Sequence, residues 1–220
     1  ILYRFAADEW KKSLEETYKV LHLLPKQGYQ IYQYFVSIDQ KGNGEVTVEE
    51  FHNFFKLKET PFSNRVFMAV DLDNSGELDF QEFLLGIWNI CTFDDKSLIK
   101  FCFDIFDVDK GGTLDMAELD ALCRMLTGLD DITGDLKETL DNIDADGDGE
   151  VSLEEMVSYN VAYPQLLLPA FELRKALQKG IYGLSFWKEL RNVRLKHYGS
   201  CVTVESILLS ERTKRRNEKA

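Results

Sequence analysis

Apolar residues recur at intervals of three and four along most of the chain, which is the spacing of one face of an α-helix. In the middle of the chain this pattern stops and restarts four times. A large apolar residue stands four positions before each interruption, and another follows each interruption directly. The upstream residues are Phe35, Phe67, Phe103 and Leu140, and the downstream residues are Phe51, Phe83, Leu119 and Met156. The pattern predicts an all-α protein with four helix-loop-helix units.

The same spacing predicts a helix at the amino-terminal end. Residues 1–24 form an amphipathic stripe that Pro25 and Gly28 are expected to end. The stripe consists of Ala6, Trp10, Leu14, Tyr18 and Leu21. It either packs against the first units or guards a groove, and the pattern allows both. Among the units, Thr60 before Pro61 and Thr92 before Asp95 are expected to cap helices.

The carboxyl-terminal part of the chain predicts three further helices. Prolines within 163–169 end the last unit, and helices are expected over 170–179 and from Ser185, as cap, to His197. The apolar face of the second helix consists of Phe186, Leu190 and Val193, with Trp187 beside it. A third, short helix carries Val204, Ile207 and Leu208. The basic tail 212–216 is either a solvated end or a contact for an acidic surface.

Each interruption is a twelve-residue acidic segment, and the four segments begin at intervals of 32, 36 and 37 residues. All four have Asp first, Gly sixth, an aliphatic residue eighth and Glu twelfth. They read DQKGNGEVTVEE from Asp39, DLDNSGELDFQE from Asp71, DVDKGGTLDMAE from Asp107 and DADGDGEVSLEE from Asp144. Asp and Gly also favour plain turns, but four segments in register are not expected from turn chemistry alone.

This spacing suits calcium, a hard cation that takes six to eight oxygen ligands in a flexible shell. Such a loop offers side-chain oxygens at positions 1, 3 and 5, a backbone carbonyl at position 7, often a water held by position 9, and a bidentate Glu at position 12. Glycine at position 6 permits the sharp turn, because it enters positive φ without steric cost. The aliphatic residue at position 8 lets two neighbouring loops pair through a short β-bridge.

These segments resemble EF-hand loops, and the resemblance covers about residues 28–160. The order of features is similar to the calmodulin, calcineurin B and neuronal calcium sensor branch, and residues 71–118 are similar to the second and third hands of calcineurin-B-like proteins. The resemblance implies two EF-hand pairs joined within each pair by short β-bridges. We expect four parts: an amino-terminal helix over 1–28, EF-hand pairs over 29–90 and 91–160, and a divergent helical basic extension over 161–220.

The four loops differ in their predicted calcium ligands. In the second loop these are Asp71, Asp73, Ser75, Glu77, Asp79 and Glu82; in the third, Asp107, Asp109, Gly111, Thr113, Asp115 and Glu118; in the fourth, Asp144, Asp146, Asp148, Glu150, Ser152 and Glu155. Gly111 has no side-chain oxygen, so a water must replace one ligand there. Lys41 stands at position 3 of the first loop, where its ammonium repels a cation. We therefore expect Ca²⁺ in two or three loops, with the loop from Asp39 empty.

Charge and composition disfavour several classes of partner and site. Residues 1–158 contain 14 Lys and Arg against 33 Asp and Glu, which disfavours nucleic acid as their partner. No segment approaches the ~20 apolar residues of a membrane span. The 4 cysteines form no C-x-x-C pair and suggest neither a disulfide scaffold nor a zinc site. We expect a cytoplasmic protein, with a cytoskeletal or ciliary location as an alternative.

Two functions fit these features. One is a calcium sensor, adaptor or regulatory subunit whose hydrophobic groove binds an amphipathic helix of a partner protein. The scarcity of Met (4) against Phe (15) favours one dedicated partner over many. The other is a structural calcium-binding subunit of a larger cytoskeletal or ciliary, microtubule-associated assembly. No motif of enzymatic catalysis is found, so we expect a protein that is not an enzyme.

Overall fold

The computed structural model describes residues 12–127 and 142–217 of the chain. Apart from short strands, the regular structure is helical. The helices are α1 (12–20), α2 (Pro25–Ile38), α3 (Val48–Phe55), α4 (Pro61–Val70), α5 (Phe80–Thr92), α6 (Asp95–Phe106), α7 (Met116–Thr127), α8 (Leu153–Ala162), α9 (Leu168–Gly180), α10 (Leu184–Tyr198) and α11 (Val204–Asn217). Residues 142–143 are also helical and lead into the fourth loop. The prediction of an all-α fold is confirmed.

Two short antiparallel sheets join the loops in pairs. In the first pair, β1 (Val46–Thr47) lies beside β2 (Glu77–Leu78). In the second, β3 (Thr113–Asp115) lies beside β4 (Glu150–Ser152). The predicted aliphatic residues at position 8 face each other, Val46 opposite Leu78 and Leu114 opposite Val151. The β-bridges thus hold the first two units, and the last two, as pairs.

The core of each pair consists of the apolar residues that flank the loops. Phe35, Phe67 and Phe103 before the loops are buried, as are Phe51, Phe83, Leu119 and Met156 after them. Leu140 lies outside the described residues. In the first pair the rings of Phe35 and Phe83 are 5.4 Å apart, and those of Phe51 and Phe67 are 5.6 Å apart. Such inclined aromatic pairs add to the stabilisation from burial alone.

The two helices of the second unit approach each other closely at Gly86. A Cβ atom added at this glycine would lie 2.2 Å from Cγ1 of Val70 at the end of α4. A side chain at position 86 would therefore force α4 and α5 apart. The missing side chain allows the closed packing of this unit.

The described part of the amino-terminal stripe packs against the first pair, one of the two predicted alternatives. Leu14, Tyr18 and Leu21 are buried. Ala6 and Trp10 lie outside the described residues. The predicted end of this helix was wrong: α1 stops at residue 20, Pro25 begins α2, and Gly28 lies inside α2. Gly28 is there because the Tyr18 ring lies where its Cβ would be.

Two predicted caps were also wrong. Thr92 is the last residue of α5, and its Oγ1 donates a 2.6 Å hydrogen bond to the Trp88 carbonyl. The cap of α6 is Asp94, whose carboxylate accepts from the Ser97 amide at 2.9 Å. Gly183 rather than Ser185 precedes α10. The cap from Thr60 to the Ser63 amide is confirmed.

The extension forms three helices, as predicted, but its buried face differs. Trp187 is fully buried and Phe186 only partly, while the charged side chain of Arg194 is 2% exposed. The last helix is longer than expected, because α11 continues from Val204 through the basic segment to Asn217. Among the described helices, none has the length and apolarity needed to cross a membrane.

Candidate metal centres

The terminal glutamate of each loop points back into the loop. In the second loop, Oε1 of Glu82 accepts from the Leu72 amide at 2.9 Å and Oε2 accepts from the Asp79 amide at 3.0 Å. Glu155 makes the equivalent contacts with the amides of Ala145, at 2.9 Å, and Ser152, at 2.8 Å. Each glutamate occupies the third position of the helix that leaves its loop, so the helix start fixes its carboxylate.

In the second loop the oxygens of Asp71, Asp73 and Glu82 all lie within 4.8 Å of one another. Asp71 and Glu82 are buried, which brings two carboxylates out of water beside a third. The Ser75 hydroxyl donates to the Glu77 carbonyl at 2.8 Å, so the predicted ligands at positions 5 and 7 also lie together. The pKa of Asp73 is lowered, chiefly by hydrogen bonding to Ser75, whose backbone amide donates to Oδ1 of Asp73 at 3.0 Å.

The fourth loop brings together Asp144, Asp146 and Asp148, again with oxygens within 4.8 Å. The amides of Gly147 and Gly149 donate to the Asp144 carboxylate at 2.8 and 3.0 Å. Glu150 lies on β4, and Ser152 caps α8. Hydrogen bonds from Ser152, first from its backbone amide, lower the pKa of Glu155.

The third loop brings together Asp107, Asp109 and Glu118 within the same distance. Oδ1 of Asp107 is buried and has no hydrogen-bond partner among the described residues. A buried carboxylate oxygen without a donor is costly unless a cation meets it. This orphaned oxygen and the all-oxygen donor sets fit a hard divalent cation such as Ca²⁺. Of the other predicted residues, Thr113 donates to the Glu150 carboxylate of the neighbouring loop at 2.6 Å, and Asp115 accepts from the Glu118 amide at 2.8 Å.

Gly111 offers a direct test of the third loop. A Cβ atom built there would lie 2.9 Å from Oδ1 of Asp109, and its backbone φ is outside the range that excludes other residues. Gly111→Ser would therefore place a hydroxyl beside the carboxylate cluster after a small shift of Asp109. We expect a several-fold gain in calcium affinity of this loop, measured by calorimetry in a chain that also carries Glu82→Gln and Glu155→Gln. Gly111→Ala is the matched control, and equal affinities for Ser and Ala would contradict the prediction.

The first loop lacks such a cluster. Lys41 at its third position is exposed, and among the described residues the groups of carboxylates close enough to hold an ion belong to the other three loops. The Asp39 carboxylate accepts from the amides of Gly42 and Gly44 at 2.7 and 2.8 Å. Burial raises the pKa of Glu50, but hydrogen bonds from Thr47, Lys41 and Gln40 lower it overall. That this loop stays empty of calcium remains a prediction.

Two features of the loops were missed in the sequence. Position 4 has positive φ in every loop, at Gly42 (69°), Asn74 (58°), Lys110 (61°) and Gly147 (73°). Gly at two of these positions and Asn at a third were the available signal. Position 9 also caps the helix that leaves the loop, as the bond from the Glu82 amide to Asp79 at 2.8 Å illustrates. The spacing of Asp, Ser or Thr three residues before Glu was the signal for that cap.

Comparison with known proteins agrees with this geometry. The family described as the EF-hand domain pair matches residues 29–87 and 96–159. Type 2 calcineurin B of Homo sapiens is 34% identical over 126 residues, which cover 55% of this chain and 74% of that protein. Calcineurin B of Candida glabrata is 33% identical over 129 residues, 56% of this chain and 74% of that protein. Lysophosphatidylcholine acyltransferase 2 of Danio rerio is 31% identical over 123 residues, 56% of this chain but 23% of that protein.

Proposed function

Because this chain belongs to the EF-hand family, on its calcineurin B-like branch, we propose that it is a calcium-binding regulatory subunit or adaptor that controls a partner protein. The observation that carries the proposal is the convergence of three carboxylates in each of three loops. Calcium-dependent regulation needs calcium-binding sites and a partner-binding surface that changes when those sites are filled. The family is one of calcium-binding regulators, so a role in regulation fits better than catalysis.

We assign Ca²⁺ to the second, third and fourth loops, through the residues predicted for each, with a water in place of a side-chain oxygen at Gly111. Each assigned loop combines at least three carboxylates with a backbone carbonyl, as a hard cation requires. The third loop is the weakest of the three because Gly111 supplies no side-chain oxygen. Its buried, unpartnered Asp107 oxygen nevertheless supports a cation there.

The proposed binding surface for the partner is the groove between α4 and α6. Its volume is about 540 Å³, and Arg65, Asp104 and Lys110 are among the charged residues that line it. Met68 and Leu72 on one wall are 64% and 52% exposed, an unusual display for large apolar side chains. This combination of apolar walls and charged residues suits an amphipathic helix of a partner protein. Calcium in the second and third loops would act on the groove, because α4 leads into one loop and α6 into the other.

A structural role in a larger assembly is the alternative. The features that favoured this alternative were the helices predicted at both ends of the chain and the basic tail. The described parts of these helices pack within the chain itself, so an assembly is not needed to explain them. We therefore favour the regulatory role and place the protein in the cytoplasm, where the buried thiols of Cys91, Cys102 and Cys123 would stay reduced.

The regulatory role can be tested with an apolar-surface dye such as anilinonaphthalene sulfonate. Calcium opens sensor units and exposes apolar surface, so we expect dye fluorescence to rise several-fold on calcium addition and to fall again with chelator. Met68→Glu should reduce that rise because it places a charge in the groove. Val36→Glu, on the exposed side of α2, is the matched control and should leave the rise unchanged. A calcium-loaded chain with no change in dye fluorescence would rule out a sensor that opens.

A further inference from the structure

The carboxyl-terminal extension grips the junction between α5 and α6 through a buried arginine. Arg194 on α10 is 2% exposed. Its Nη1 atom donates to the Asn89 carbonyl at 3.0 Å and to Oγ1 of Thr92 at 2.7 Å, and its Nη2 atom donates to Oδ1 of Asn89 at 2.9 Å. The guanidinium lies over the rings of both Trp88 and Phe93, 4.7 Å from each ring centroid. One extension side chain thus holds the whole last turn of α5.

A second set of contacts comes from α9. The Gln178 amide donates to the Cys91 carbonyl at 2.7 Å, in a buried position. Arg174 donates from Nη1 to the Phe93 carbonyl at 3.1 Å and from Nη2 to the Asp95 carboxylate at 2.8 Å. Backbone carbonyls at a helix end have no partner within the helix, so these contacts satisfy groups that water would otherwise meet.

A third set of contacts follows α10 and holds the start of α6. The Ser200 hydroxyl donates to the Asp94 carboxylate at 2.9 Å, and the Cys201 amide donates to Oγ of Ser97 at 2.9 Å. Asp94 is also the cap of α6. The extension therefore contacts the end of α5, the connection and the first turn of α6.

Burying Arg194 is costly, since an arginine side chain leaves water with its charge. Burial lowers the pKa of Arg194 to about 10, so the guanidinium is still charged at neutral pH. The cost is offset by hydrogen bonds to neutral acceptors and by two aromatic faces. If the extension were solvated, the guanidinium of Arg194 would stay in water. Its burial against α5 shows that this contact is part of the folded core.

The position of this contact links two of the candidate calcium loops. Helix α5 begins within the second loop, and Glu82 is its third residue. Helix α6 ends at Phe106, directly before Asp107 of the third loop. Only Phe93 and Asp94 separate the two helices. A change at either loop reaches the other through two helices and the junction that the extension holds.

We propose that α9, α10 and the segment after α10 form a built-in clamp that couples calcium binding in the second and third loops. The coupling rests on the proposed calcium function. Calcium in the second loop fixes the start of α5, and the clamp then holds α6 in a fixed position relative to α5. The third loop therefore loses less conformational entropy when it binds calcium. Without the clamp, the two pairs turn independently about the two connecting residues, and each loop binds calcium alone. Coupling between sites is reciprocal, so the order of filling does not matter.

The test measures the affinity of the third loop with the second loop filled and with it disabled. All chains contain residues 1–220 and carry Glu155→Gln, and Glu82→Gln disables the second loop. The ratio compared is the calcium affinity of the third loop with the second loop filled, divided by its affinity with the second loop disabled. We expect a ratio of about 5 or more in the chain with an intact clamp, as is typical of coupled sites, and a ratio near one when the clamp contacts are removed. Calcium titration against a chromophoric chelator gives both affinities.

Two clamp variants and one control decide the outcome. Arg174→Gln with Ser200→Ala removes the outer contacts with Phe93, Asp94 and Asp95 without disturbing the core. Arg194→Met removes the inner contacts and keeps an unbranched apolar side chain of similar length. Lys188→Gln, on the exposed side of α10, is the control. We expect a ratio near one in the clamp variants and the parent ratio in the control.

The possible failures are distinguishable. If the unaltered chain binds no calcium, the proposed function is wrong and the coupling with it. If the unaltered chain binds calcium but filling the second loop leaves the affinity of the third loop unchanged, or if Arg174→Gln with Ser200→Ala keeps the parent ratio of affinities, the clamp is wrong and the calcium function stands. Far-ultraviolet circular dichroism checks whether Arg194→Met folds. If it does not fold, the result for Arg174→Gln with Ser200→Ala decides the test.

Discussion

Glu155→Gln is expected to remove calcium binding from the fourth loop and to lower the calcium stoichiometry of the chain by one. Both oxygens of Glu155 lie in the loop, and one accepts from the Ala145 amide at 2.9 Å. A neutral amide offers one oxygen and an NH₂ group that repels the cation, so bidentate ligation is lost. The loss should exceed the ~10–100-fold that follows when a ligand loses only its supporting hydrogen bond. Calorimetric titration at constant ionic strength measures both stoichiometry and affinity.

The four loops supply matched controls for this measurement. Glu82→Gln and Glu118→Gln should each lower the stoichiometry by one, because both glutamates belong to three-carboxylate groups. Glu50→Gln makes the same change at the same position of the first loop and should leave stoichiometry unaltered. A fall in stoichiometry with Glu50→Gln would show that the first loop binds calcium despite Lys41. An unaltered stoichiometry with Glu155→Gln would contradict the assignment of the fourth loop.

The loops could be predicted from the sequence because their structure is local. Twelve consecutive residues contain the carboxylates, the glycine with positive φ and the cap of the following helix, so each loop depends on its own sequence. The pairing of Leu114 with Val151 was predictable for a related reason. Every loop has an aliphatic residue at position 8, and in each pair this residue lies opposite position 8 of the neighbouring loop across the β-bridge.

The packing of the extension could not be predicted in this way. Arg194 lies in a helix rich in basic residues, and it is not part of the apolar face predicted for that helix, Phe186, Leu190 and Val193. Its acceptors at Asn89 and Thr92 are more than one hundred residues away in the chain, so no local pattern pointed to them. Thr92 was misassigned as a cap for a different, local reason: Thr and Asp both cap helices, and only Phe93 separates Thr92 from Asp94.

Trp88 connects the ends of the chain to the first pair. Its side chain is fully buried, its Nε1 atom donates to the Leu21 carbonyl at 3.0 Å, and the Arg194 guanidinium lies over its ring. The segment after α1 and the extension helix α10 therefore meet at one side chain of α5. The amino-terminal helix and the extension should accordingly depend on each other through Trp88, in addition to the direct hydrogen bond from the Tyr198 hydroxyl to the Val20 carbonyl at 2.8 Å.

Trp88→Ala is expected to lower the free energy of unfolding by about 3–5 kcal/mol, the usual cost of removing a large aromatic side chain from a core. The lost donor leaves the Leu21 carbonyl unpartnered, which places the loss towards the upper end of that range. Urea unfolding at a fixed saturating calcium concentration measures it, since a change in calcium occupancy would itself alter stability. Trp88→Phe keeps a ring beneath Arg194 and should cost less, whereas Val161→Ala, at a position 81% exposed, should change stability by less than about 0.5 kcal/mol. A loss below about 1 kcal/mol for Trp88→Ala would mean that Trp88 does not link the two ends of the chain.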